Sequence, residues 1–123
     1  MLALTNRLVF ETTRAPEFID ITDDVVRFVH ESHVRNGCVI IYSRHTTAAI
    51  KVNENEPLLL KDMEQFLERI APRDADYGHN DFSIRTVNLE EDDCPNGHAH
   101  CQHLLMSTSE TVPVIEGELQ LGR

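Results

Sequence analysis

The sequence feature that most constrains the fold is the apolar run Cys-Val-Ile-Ile-Tyr over residues 38–42. A continuous run of β-branched and aromatic residues is typical of a buried strand. It lies between two segments whose apolar residues have helical spacing, 23–35 and 57–70. The second segment has Asn55 as a candidate N-cap and Pro57 at its first helical position. Together with the strands predicted near both ends of the chain, this mixture of helices and strands predicts an α+β fold.

Alternation of apolar and polar residues, or short β-branched runs, predict the remaining strands. These predicted strands cover residues 2–13, 18–21, 48–52, 82–87, 111–115 and 118–121. The last two flank Glu116-Gly117, which is a hairpin signal. A short helix is predicted over 98–106, with Asn96 as its cap. Because the 123 residues contain no repeat, linker or low-complexity tract, we expect one domain over residues 1–123.

Charge and composition exclude several classes of function. The chain has 11 basic and 21 acidic residues, a net charge of −10, which argues against non-specific nucleic-acid binding and against an anionic membrane surface. No stretch approaches the length of a membrane-spanning helix. The absence of a secretory signal and the presence of three cysteines predict a cytoplasmic protein with free thiols, of which Cys38 is expected in the core. A phosphorylated substrate is still compatible, because a local Arg or Lys pocket or a metal can overcome the mean charge.

Histidine is the most informative residue type for chemistry, since three of the seven histidines crowd into residues 94–103. Neutral imidazole is a common metal ligand, yet no CxxC pair is present and the spacing matches no structural zinc module. A catalytic-type site with an open coordination position fits better, with His100 joined by His45 and His79. His98 or His103 is the alternative third ligand. The competing interpretation is that all of these histidines are solvated surface residues.

Two further polar residues, Asn53 and Glu54, are candidates because they precede the cap of the second helix and helix capping does not require them. Asp62 lies on that helix opposite Met63, where an ordinary solvated helix face explains it. The acidic run 90–93 is predicted to be an exposed loop.

Several motifs occur in an order that resembles the YjbQ family over roughly residues 2–122. They are the stretch HTTAAIKVNEN over 45–55, Asp62, YGH over 77–79, NGHAH over 96–100, VPV over 112–114 and GELQLG over 117–122. The HTT…NEN and NGHAH stretches are the most specific of these. Members of that family usually continue past the final Leu-Gly with Thr-Trp-Gln and a basic strand, and they usually carry glycine where Ser107 stands.

The resemblance implies an α+β fold with a mixed β-sandwich and two to three helices, assembled as a homotrimer. It also implies secondary thiamine-phosphate synthase activity on small phosphorylated substrates. The family's three recurrent histidines correspond to His45, His79 and His100, and the resemblance implies a divalent metal at this cluster. The family's other polar positions correspond to Asn53, Glu54 and Asp62. We therefore expect His45, Asn53, Glu54 and Asp62 to be catalytic. Zinc is the preferred metal and magnesium the alternative.

Three functions from different classes remain open. A thiamine-phosphate synthase couples a pyrimidine diphosphate to a thiazole phosphate, and it needs phosphate neutralisation by a metal or by Arg44, Lys51 or Arg85. A three-histidine site suits a metal-dependent hydrolase equally, because bound water is activated near neutral pH. The third possibility is a non-catalytic trimeric protein that binds a small anion. In each case we expect the site near a subunit interface.

Overall fold

A computed structural model describes residues 3–122. Its helices are α1 (Thr22–Ser32), α2 (Pro57–Ile70) and α3 (Gly97–His103), its strands are β1 (Gly37–Tyr42), β2 (Ser109–Ile115) and β3 (Glu118–Leu119), and Gly78–Asn80 form a 3-10 turn. The strands make one antiparallel sheet in the order β1–β2–β3. The predicted α+β class is confirmed.

The hairpin between β2 and β3 forms where the sequence predicts it. Glu116 and Gly117 have φ angles of 55° and 88°, so both lie in the left-handed region that a two-residue hairpin turn requires. The Gly117 N–H donates to the Arg35 carbonyl over 2.8 Å, and the Glu116 N–H donates to the Asn36 side chain over 3.2 Å. These two bonds fix the hairpin against the loop that enters β1.

The core lies between α1 and one face of the sheet. Val25 and Val29 of α1 pack with Val39 of β1 and with Val112 and Val114 of β2. Since neighbouring strand residues point to opposite faces, the other face of β1 carries the alternate side chains. That face is open, which corrects the expectation of a strand buried on both sides.

Two side chains of β1 show how open the second face is. Ile40 is 66% exposed and Tyr42 is 63% exposed. Cys38 lies on the same face by register, opposite Pro113, and is exposed rather than part of the core. The prediction for Cys38 was therefore wrong, because a continuous apolar run does not reveal that only one face has a partner.

The N-cap of α2 and the C-terminal end of α1 differ from the predicted ones. Glu56 is the N-cap of α2, and its carboxylate accepts from the N–H groups of Leu58 (2.9 Å) and Leu59 (2.8 Å). The amide of Asn55 instead donates to Asp20 over 2.8 Å. Helix α1 ends at Ser32 rather than at 35, because His33 takes a left-handed conformation with φ of 55°.

Three predicted strands are not strands in the described part of the chain. Residues 3–13, 18–21 and 82–87 have no strand pairing, and the predicted 48–52 strand is reduced to a single bridge between Ile50 and Ser107. Helix α3 is also shorter than predicted and ends at His103. A strand needs a partner edge as well as alternating side chains, and the alternation alone does not supply one. Within residues 3–122, no helix is long and apolar enough to cross a membrane.

The cap of α2 gives a first prediction. Hydrogen bonds from Leu58 and Leu59 hold the pKa of Glu56 below its ordinary value of 4.5. A lowered pKa contributes stability above the unfolded-state pKa, and this contribution is lost as pH falls through the folded-state value. We expect Glu56→Gln to lower Tm at pH 7, and we expect the gap to wild type to close below pH 4.5. Thermal unfolding followed by circular dichroism at both pH values measures this.

The matched control is Glu91→Gln, which removes a carboxylate from the exposed loop without touching a helix terminus. Its Tm at pH 7 should stay close to that of wild type. An equal loss of Tm in both variants would contradict the capping role of Glu56.

Candidate functional site

A cavity of about 320 Å³ brings together side chains from four separate parts of the chain. Its lining residues are His45, Thr46, Thr47, His79, Arg85, Asn88, Asp93, Asn96 and His100. The three histidines named from the sequence thus line one cavity although they are far apart in the chain. They are His45, His79 and His100. Thr46 and Thr47 enter the cavity because they directly follow His45.

His79 and His100 form an aromatic pair in the cavity. Their ring centroids are 4.8 Å apart, with an interplanar angle of 75° that places one ring edge toward the other. His79 belongs to the 3-10 turn and His100 to α3. The two elements are joined where the Gly97 N–H donates to the Asn80 side-chain oxygen over 2.9 Å.

The close approach at Gly97 depends on its lack of a side chain. A Cβ at this position would lie 2.7 Å from Cβ and 2.9 Å from Cγ of Tyr77, the residue that precedes the 3-10 turn. Both distances are shorter than any comfortable carbon–carbon contact. Glycine at 97 therefore lets α3 begin directly against the turn that carries His79.

His45 reaches the cavity from a turn beyond the end of β1. The Ala48 N–H donates to the His45 carbonyl over 3.4 Å, and the Ser43 N–H just before it donates to Thr108 over 2.8 Å. The bridge between Ile50 and Ser107 closes the far side of this turn. The turn is thus held to the start of β2 at both ends, while the His45 side chain stays exposed.

The electrostatic environment favours a neutral His100. Burial is the main cause that lowers its pKa below 6.5, and the neighbouring His79, Arg85 and His103 lower it further. A hydrogen bond with the Thr46 backbone opposes these effects. At pH 7 His100 is consequently the neutral imidazole that a metal ligand or a proton acceptor has to be.

Arg85 is the arginine that lines the cavity, and contacts of its Nε and Nη2 atoms hold its guanidinium in place. Its Nη2 lies 2.9 Å from the Asp93 carboxylate, its Nη2 also donates to the Asn88 carbonyl, and its Nε donates to the Val87 carbonyl over 3.3 Å. The guanidinium carbon sits 5.9 Å from the centre of the Phe82 ring. Asp93 was predicted to belong to a wholly exposed acidic loop, and this was wrong because its pairing with Arg85 draws it partly into the protein.

The other candidate residues lie outside the cavity lining. The Asn53 amide contacts the sulfur of Met63, the residue after Asp62, over 3.1 Å, and its oxygen accepts from the Glu54 N–H over 2.8 Å. Asn53, Glu54 and Asp62 are all exposed on this second patch. The single described chain does not bring them to the histidines.

His98 and His103, the alternative third ligands, are also absent from the cavity lining. His98 is only 5% exposed, and neither of its ring nitrogens has a hydrogen-bond partner among the described residues. Its ring centroid is 6.5 Å from that of Tyr77. His98 is therefore a buried residue of α3 that does not face the cavity.

The donor set can be compared with what a metal requires. Among residues 3–122, no group of three or more His, Cys, Asp or Glu side chains is assembled closely enough to hold an ion. His79 and His100 supply a contacting imidazole pair, and His45 lies on the same cavity from an exposed turn. Two imidazoles with an approachable third are the donor chemistry of open zinc sites.

Comparison with known families identifies one matching family model. The model for UPF0047 protein YjbQ-like matches residues 6–123. A UPF0047 protein of Methanothermobacter thermautotrophicus is 41% identical over 122 residues, which are 99% of this chain and 78% of that protein. The UPF0047 protein YugU of Bacillus subtilis is 33% identical over 94% of this chain and 79% of its own length.

Solved structures show the same relationship. A YjbQ/UPF0047 family protein from Clostridium acetobutylicum has a TM-score of 0.78 at 32% identity, covering 93% of this chain and 79% of that one. A YbjQ-like protein of unknown function from Sulfolobus solfataricus P2 also has a TM-score of 0.78 at 32% identity, covering 92% and 74%.

The contact between Gly97 and Tyr77 gives a second prediction. We expect Gly97→Ala to reduce the free energy of unfolding by about 1–3 kcal/mol, because the new methyl group would overlap with Cβ and Cγ of Tyr77. Gly78→Ala is the matched control, since a Cβ there has no heavy atom within 4 Å. Urea unfolding of both variants measures the difference. A Gly97→Ala protein as stable as Gly78→Ala would refute the steric role of Gly97.

Proposed function

The chain belongs to the YjbQ-like UPF0047 family, and we propose that it is an enzyme that acts on a small phosphorylated compound at a divalent metal ion. His45, His79 and His100 would hold the ion, with zinc preferred to magnesium because all three donors are nitrogen. The observation that carries this proposal is that these three imidazoles line one cavity with an arginine on the same wall. His45, on its exposed turn, would close onto the His79–His100 pair.

The finer proposal for the reaction is the coupling of a pyrimidine diphosphate to a thiazole phosphate. The thiazole nitrogen attacks the carbon that bears the diphosphate, and the diphosphate leaves with the electron pair of the broken C–O bond. The metal would neutralise phosphate charge when bound. The chain's own work is to orient two substrates and exclude water, which matches a cavity that offers hydrogen-bonding side chains and no activated nucleophile.

A homotrimer would complete this site. The single chain exposes 9,632 Å², whereas a folded monomer of 14.0 kDa exposes roughly 6,700 Å². The excess of roughly 2,900 Å² is as large as the area that stable subunit interfaces cover. In the proposed trimer, Asn53, Glu54 and Asp62 of one chain would reach the histidine cavity of another, which accounts for their position outside the cavity of their own chain.

The metal site is tested by replacing its ligands one at a time. His45→Ala, His79→Ala and His100→Ala should each weaken Zn²⁺ binding by on the order of 100-fold or more, beyond the loss typical of residues that only support a ligand. His30→Ala and His33→Ala, which lie near the end of α1 and line a separate pocket, are the controls and should bind like wild type. Isothermal titration at pH 7.5 supplies the affinities.

Proton competition adds a second readout for the same variants. Since only neutral imidazole binds metal, wild-type affinity should fall steeply between pH 7.5 and pH 5.5. Equal affinity at both values, or equal losses from the His30 and His33 variants, would reject a specific histidine site and favour the non-catalytic anion-binding function. An activity screen on the metal-loaded protein then separates coupling of the two thiamine precursors from release of orthophosphate by a hydrolase.

The oligomer has its own measurement. Light scattering on the purified chain at micromolar concentration should give a mass about three times 14.0 kDa. A mass equal to that of one chain would contradict the trimer and, with it, the composite site.

A further inference from the structure

Arg85 differs from every other cation considered for phosphate binding. Arg44 is exposed and does not line the cavity. Lys51 also does not line the cavity, and its Nζ lies 3.0 Å from the Glu110 carboxylate. The Arg85 side chain is only 13% exposed and lines the cavity beside His79 and His100. Of the three candidates from the sequence, Arg85 alone is placed to meet a ligand there.

The hydrogen bonds of Arg85 leave one nitrogen of the guanidinium, Nη1, without a partner in the described part of the chain. Nε and Nη2 are committed to Val87, Asn88 and Asp93, as described above. Nη1 has no partner in the chain among residues 3–122, so its two N–H donors remain available. Nη1 is not one of the buried atoms without a partner, so it faces the open cavity, where a ligand oxygen can accept from it.

The charges of the cavity identify the class of ligand. Arg85 and Asp93 carry opposite unit charges that cancel, and the other lining residues are histidine, threonine and asparagine. A divalent ion held by the histidines would add two positive charges, which a dianion would balance. A phosphoryl group supplies two negative charges and several acceptor oxygens in the geometry that a guanidinium recognises.

We infer that Arg85 is the specificity-determining residue of the cavity, where its Nη1 donors receive a phosphoryl group while Asp93 holds the guanidinium in position. This inference rests on the proposed function, because it places the phosphate beside the proposed metal. The phosphoryl group can belong to a substrate or to free orthophosphate. Asp93 is a positioning residue in this arrangement and does not itself touch the ligand.

The experiment measures metal binding and phosphate binding separately. Zn²⁺ affinity is titrated first, and orthophosphate is then titrated into the Zn²⁺-loaded protein, with wild type, Arg85→Gln, Arg85→Lys and Asp93→Asn. We expect Arg85→Gln to weaken orthophosphate binding by on the order of 10- to 100-fold while leaving Zn²⁺ affinity unchanged. Arg85→Lys should recover part of the affinity, since it restores charge without the planar fork. Asp93→Asn should give an intermediate loss.

A control and a second readout separate recognition from stability. Arg73→Gln, on the exposed surface after α2, should bind both ligands like wild type. Tm is recorded for each variant, because a purely structural Arg85 would change Tm and leave the orthophosphate affinity of the folded fraction intact. Arg85→Lys with near wild-type Tm and weakened phosphate binding supports recognition.

Failure of the inference and failure of the proposed function give different results. If wild type binds no Zn²⁺, the proposed function is overturned together with the inference. If wild type binds Zn²⁺ but Arg85→Gln binds orthophosphate as tightly as wild type, only the inference is overturned. Absence of orthophosphate binding to Zn²⁺-loaded wild type at millimolar concentration also overturns the inference and leaves the metal site standing.

Discussion

The absence of a side chain at Gly97 sets the distance between the two best-placed histidines. Because α3 can start against Tyr77, its first N–H reaches the Asn80 oxygen at 2.9 Å. That bond ties the turn carrying His79 to the helix carrying His100, and the rings meet at 4.8 Å. The far end of α3 is held as well, since the Gln102 amide donates to the carbonyls at the end of α2. A short helix of seven residues thus gains a fixed position from contacts at both ends.

A net charge of −10 and an anion site are compatible because the cavity isolates its own charges. Asp93 neutralises Arg85 at 2.9 Å, so the charges of these two lining residues cancel whatever the outer surface carries. Interactions between exposed charges fade over about 8–10 Å in physiological salt, whereas partly buried pairs are screened much less. The acidic surface therefore acts weakly on the cavity, and the charge state of the three histidines and Arg85 decides which ligand is stable there.

The sequence predicts the helices and strands that depend on neighbouring residues. It fails where an element depends on a partner that is distant in the chain. Helix α2 covers residues 57–70 as predicted, since its apolar spacing and Pro57 are both local signals. The alternation in residues 3–13 is just as regular, but the described chain offers it no strand edge. Asn is the better N-cap residue type, yet Glu56 rather than Asn55 caps α2, because Asp20 engages the Asn55 side chain.

The residues of the candidate site also differ in whether the sequence could identify them. Motif order alone was enough to select His45, His79 and His100, and the structure places all three on one cavity. It could not separate Arg85 from Arg44 and Lys51, because their difference lies in tertiary contacts with Asp93 and Glu110. The sequence did not predict the role of Asp93, because Asp93 belongs to an acidic run whose other members are exposed. Nothing in the sequence distinguishes it from them.

The proposed trimer and the proposed site depend on each other through the open face of the sheet. Exposing Ile40 and Tyr42 to water forgoes roughly 25 cal/mol for each Å² of apolar surface that a partner could cover. The same strand ends at the turn that carries His45, so a subunit packed on that face would also restrict the turn. Restricting it would hold His45 near the His79–His100 pair and lower the entropy lost when a metal binds. Assembly would in this way preorganise the cavity, and the metal affinity of the chain should rise with its state of association.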